Sequence, residues 1–80
     1  MILLSKEITM GNSKYVLTYL DDGTELRQQG ELYGYTDTTF AVVRNDHTYV
    51  CDTNNREIFK YPKENKYAKN DLEVFVEVNQ

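Results

Sequence analysis

The sequence predicts an all-β fold, a small curled antiparallel barrel or sandwich of about six or seven short strands with almost no helix. Three observations predict it. Period-two alternation of apolar and polar residues runs through residues 24–35 and again through 72–78. Gly, Asn and Asp clusters punctuate the chain at short, regular intervals. Nowhere do apolar residues recur at i, i+3 and i+4 over the length of a helix. A single turn of helix within 63–71 is the one exception expected.

The elements follow in order. Residues 2–9 (ILLSKEIT) read as a first strand, and Met10-Gly11-Asn12-Ser13 as a turn. Residues 14–20 read as a second strand, with Tyr15, Leu17 and Tyr19 on one face and Val16 and Leu20 on the other. Asp22-Gly23 predicts a type I′ hairpin turn, which needs positive φ at both central residues. Residues 24–35 read as one long bent strand. Its even positions, Leu26, Gly30, Leu32 and Gly34, form the inner face, and its odd positions are charged or tyrosine. Gly30 and Gly34 mark a bend or bulge, which a small sheet needs in order to curl. Thr36-Asp37-Thr38 turns the chain into Thr39–Arg44, where Phe40 and Val42 or Ala41 and Val43 point inward.

Asn45-Asp46 makes the next turn, and His47–Asp52 the next strand. Asn54-Asn55 signals another hairpin, because Asn tolerates the left-handed region. Arg56–Tyr61 is a further strand, and Pro62 stops it by removing a ladder donor. Residues 62–71 (PKENKYAKND) read as an exposed loop. Leu72–Val78 reads as a last strand, apolar on one face and carrying Glu73 and Glu77 on the other. The expected core is Leu26, Leu32, Phe40, Val42, Val50, Ile58, Val74 and Val76.

Eighty residues predict one small β-barrel domain over 1–80. A chain of this size buries roughly 60% of its unfolded surface, enough for one core. The net charge of −4 disfavours a general nucleic-acid binder, which needs clustered Lys and Arg to neutralise phosphates. One cysteine, Cys51, excludes an internal disulfide framework and a cysteine-rich zinc site, and it fits a reducing compartment. The start Met1-Ile2-Leu3-Leu4 has neither the basic region nor the length of a signal peptide or membrane span. The expected localisation is cytoplasmic, with no membrane partner. Asn, Lys and Tyr are frequent while Ala occurs only twice, a bias that suits an A/T-rich genome such as that of low-GC bacteria and their phages.

Over residues 16–61 the chain weakly resembles the Sm-like small-barrel family. The carriers are a strand ending in Leu20, then Asp22-Gly23, Gly30, Leu32, Tyr35 and Asp37, followed by Phe40 and a hairpin. Ile58-Phe59-Lys60 stands where that family has a hydrophobic-Arg-Gly run. The resemblance implies a small barrel and, as a function, RNA or single-strand nucleic-acid binding.

The candidate chemistry is sparse. His47 and Cys51 share a strand face about 13 Å apart, too far for a nucleophile–base hydrogen bond. Residues 21–40 hold one base and five acids, including Asp21, Asp22 and Glu25, but their spacing does not match the calcium-binding loop. The expectation is therefore no catalysis, no metal and no cofactor. Residues 60–69 set Lys60, Lys63, Lys66 and Lys69 among Tyr61 and Tyr67, the composition of a single-strand binding surface and equally of a solvated loop. Tyr33 and Tyr35 fall on the charged face of their strand with Glu31 and Asp37 nearby. Tyr buries large area at low entropic cost, so these four are the candidates for a protein interface.

The expected function is a non-catalytic protein-binding module, in one version a phage or mobile-element inhibitor or modulator of a host protein. The alternative is an Sm-like nucleic-acid binder using the Lys/Tyr loop. A homodimer is expected through the edge of Leu72–Val78, whose regular backbone lacks Pro.

Overall fold

The computed structural model describes residues 1–62, and over them the chain is all-β: seven strands in two antiparallel sheets. The first sheet holds β1 (Ile2–Met10), β2 (Ser13–Leu20) and β3 (Glu25–Gln29), in that order. The second holds β4 (Glu31–Tyr35), β5 (Thr39–Arg44), β6 (His47–Asp52) and β7 (Glu57–Pro62), also in sequence order. Each strand pairs with its chain neighbour, so both sheets are meanders. Among the described residues they do not close into a barrel. The expected strand 72–78 and the helical turn within 63–71 lie outside the described residues, as do Val74 and Val76.

The expected long strand 24–35 is two strands. The break is at Gly30, where φ is +132° and the chain leaves one sheet for the other. Its N–H donates to the Lys14 carbonyl at 2.8 Å, and a Cβ there would stand 2.6 Å from the Val43 carbonyl oxygen. Only glycine fits both the dihedral and the approach.

The turn at Asp22-Gly23 is not type I′, because only Gly23 there has positive φ. The Gly23 N–H donates to the Leu20 carbonyl and the Leu20 N–H to the Thr24 carbonyl, which makes a three-residue loop with glycine at its left-handed position. The loop after Asp52 repeats this pattern with Asn55 at φ +64°. Type I′ occurs at Asn45-Asp46, with φ of +51° and +60° between paired Arg44 and His47.

The core lies between the sheets. Ile2, Val16, Leu20 and Leu26 of the first sheet meet Phe40, Val42, Tyr49 and Cys51 of the second. Leu32 and Tyr35 pack against them, half-buried. A buried Ser5–Thr18 hydroxyl pair at 2.7 Å satisfies two polar groups within this layer. The outer face of the second sheet carries a smaller cluster, in which Tyr33, Phe59 and Tyr61 pack on buried Ala41 and Val50. Val50 is therefore buried as expected, but on the far side of its sheet from Phe40. Ile58 is not core: it is 36% exposed, because Phe59 and Tyr61 take the packed face of β7. The register shift between Val50 and Cys51 sets Phe59 across from Val50, and period two then carries Tyr61 to the same face.

Side-chain hydrogen bonds, with one backbone bond, join the two sheets at both margins. On one, the Leu32 N–H donates to Glu7 Oε1 at 2.9 Å and the Ile2 N–H to the Asp37 carbonyl at 2.7 Å. On the other, Asn55 Nδ2 donates to the Arg27 carbonyl, and Arg44 Nη1 donates to the Gln29 carbonyl and to Gln28 Oε1. Exposed strand edges present unpaired backbone groups, and these side chains occupy some of them.

Candidate functional site

The four residues expected at a protein interface do not gather. A bulge between Leu32 and Gly34 inserts Tyr33 as an extra residue, so Leu32 pairs with Val42 and Tyr35 with Phe40. Tyr35 turns toward the main core and Tyr33 toward the outer cluster, on opposite faces of the sheet. Both are half-buried rather than displayed on a charged face. Glu31 is exposed at the start of β4 and pairs with Lys14 at 3.4 Å. Asp37 is exposed in the turn beyond the strand's other end. The two acids thus stand toward opposite ends of β4.

The Lys/Tyr stretch is described only at its start. Lys60 sets its ammonium 5.7 Å from the Tyr49 ring, while Tyr61 stacks on Phe59 with centroids 6.0 Å apart. The two residues thus leave β7 on opposite faces. Lys63, Lys66, Tyr67 and Lys69 lie outside the described residues.

The potentially reactive groups are held in structural roles. Cys51 is fully buried, and burial pushes its thiol from 9.0 up to about 11, which keeps it protonated and unreactive at neutral pH. His47 Nδ1 lies 2.8 Å from the Asn45 carbonyl, within its own hairpin. The Asp22 carboxyl sits below its ordinary 3.8 because Thr24 hydrogen-bonds it through side chain and N–H, a turn device. Among the described residues no three of His, Cys, Asp and Glu gather to hold a metal ion. Also among them, no helix is long and apolar enough to cross a membrane.

A surface that sequence reading did not single out is the outer face of the first sheet. Ser5, Thr18 and Leu26 point to the core, so by period two their strand neighbours point away. The register then sets three rows across β1, β2 and β3: Leu4–Tyr19–Glu25, Lys6–Leu17–Arg27 and Ile8–Tyr15–Gln29. Lys6 reaches along this face to place its ammonium 5.5 Å from the Tyr19 ring. Leu17 is buried at the centre, while Leu4 is 45% exposed and Met10, at the end of the face, 49%. Leu3, at a register shift in the β1–β2 ladder, is 57% exposed. The alternation of Tyr15, Leu17 and Tyr19 was visible in the sequence. The register that brings Lys6 and Arg27 beside them was not.

Comparison with protein-family models, with curated proteins and with solved structures gives no match. The Sm-like resemblance accordingly rests on the residues that suggested it.

Proposed function

We propose that the protein is a non-catalytic protein-binding module. The observation that carries this reading is the exposure of large apolar side chains along β1 (Leu3, Leu4 and Met10) beside the half-buried Tyr15 and Tyr19. Exposed apolar and aromatic side chains grouped on one surface suit burial against another protein, since such groups gain most from leaving water. Acidic charge and A/T-biased composition favour a phage or mobile-element modulator that inhibits a host protein in the cytoplasm. The full chain, used as bait in host lysate beside an equally folded Leu4→Asp chain, tests this. The expected result is a protein retained by the first bait and lost from the second. Retention of no protein, or of nucleic acid alone, overturns the reading.

The nucleic-acid reading is weaker on two counts. The chain is acidic, and Lys60 and Tyr61 diverge from β7 to opposite faces. The expected dimer was placed on residues 72–78, outside the described residues.

A further inference from the structure

We infer that the outer face of the first sheet is the docking surface, and that it fits an acid-flanked apolar segment of a partner protein. This rests on the protein-binding reading and names its surface and partner chemistry. Lys6 and Arg27 lie on either side of Leu17, about 10 Å apart across β2. Lys14 and Arg44, in contrast, are committed to carboxylates of this chain. Lys6 and Arg27 therefore give a cationic middle row to a face of an otherwise acidic molecule. Glu25 is the single acid in the three rows. An apolar residue laid over the centre, with carboxylates to either side, meets both the apolar surface and the two cations.

Two other occupants fit less well. Single-stranded nucleic acid would stack successive bases on neighbouring rings, but Tyr15 and Tyr19 are four residues apart on one strand, about 13 Å. A second copy related by a two-fold centred on Leu17 would bring Lys6 and Arg27 against the same two cations. The edge of β1 is a poor alternative to its face, since the Ile2 N–H and the Glu7 carboxylate are engaged with Asp37 and Leu32 of the neighbouring segment.

The test is selection of random twelve-residue peptides on the full chain and, in parallel, on the Lys6→Glu/Arg27→Glu double variant. Both residues are exposed, and unchanged thermal melting confirms that the variant folds. The expected peptides carry Asp or Glu around one or two large apolar residues. They should bind the variant about ten-fold or more weakly, with rescue by Lys6→Arg/Arg27→Lys. Enrichment of basic peptides, no enrichment, or equal binding to wild type and variant overturns the inference. So does oligo-dT binding that the double variant abolishes, or a dimer in light scattering that Leu4→Asp dissociates. A benzophenone cross-linker at Leu4 that joins only to its own chain also overturns it. A host partner captured equally by wild type and the double variant sinks this surface and leaves the protein-binding reading standing.

Discussion

Gly30 shows how much one residue decides. Its φ of +132° and the Val43 carbonyl 2.6 Å from any Cβ leave no room for alanine. Gly30→Ala should therefore cost about 1–3 kcal/mol, and more if the sheets must separate. An unchanged urea midpoint would show that the backbone there can relax. Cys51 sets a second expectation. Its thiol is pushed to about 11 from 9.0 by burial, so the folded state resists forming the thiolate. The stability this contributes is complete below pH 9, where the thiol is protonated folded and unfolded alike. It is lost as pH rises through 11, because the unfolded chain ionises first. Urea midpoints taken across that window should fall for the wild type and fall less for Cys51→Ala. Parallel slopes would remove Cys51 as the cause.

Among the elements, β5 and β7 make opposite tests of the packing. Phe40 in β5 is fully buried between the sheets. Truncation to Ala should cost about 3–5 kcal/mol, a large part of a small domain's stability. Ile58 in β7 is 36% exposed and outside the core, so Ile58→Asp should cost about 1–2 kcal/mol, less than the loss of Phe40. If Ile58→Asp unfolds the protein while Phe40→Ala is as stable as the wild type, Phe40 is not core and Ile58 is. The bulge in β4 works at the same scale. One extra residue sends Tyr33 and Tyr35 to opposite faces, where simple alternation sets them on one.

At the scale of the molecule, two open sheets must stay registered without a shared ladder. Arg44 is central to one margin. Its guanidinium lies 4.1 Å from the Tyr49 ring, pairs with Glu57 and donates to Gln28, whose Nε2 in turn donates to Asn55 Oδ1 at 2.9 Å. Gln28→Ala should cost about 0.5–1.5 kcal/mol by removing two part-buried hydrogen bonds. Combined with Asn55→Ala it should cost less than the two losses added, because both belong to one network. Strict additivity in urea titrations would mean that the margin is not a network. The molecule's charge of −4 makes a further expectation: no duplex DNA binding at physiological salt, checked by fluorescence anisotropy at rising ionic strength.

The sequence by itself determined that the described chain is all-β, where most strands begin and end, and that Leu26, Phe40 and Val42 face inward. Period two and the chemistry of Gly, Asn and Asp act over a few residues, so local order suffices to read them. It also marked Gly30 as a bend. Only the tertiary structure decided that this bend divides one strand into two belonging to different sheets, because the deciding atom, the Val43 carbonyl oxygen, is distant in sequence. The same holds for Ile58 and Tyr35. A register shift of one residue moves a side chain to the other face of a sheet, and register is set by the partner strand. The face formed by Leu4, Lys6, Tyr15, Tyr19 and Arg27 is likewise a product of pairing. Its members come from three strands, and nothing in their spacing along the chain states which of them stand side by side.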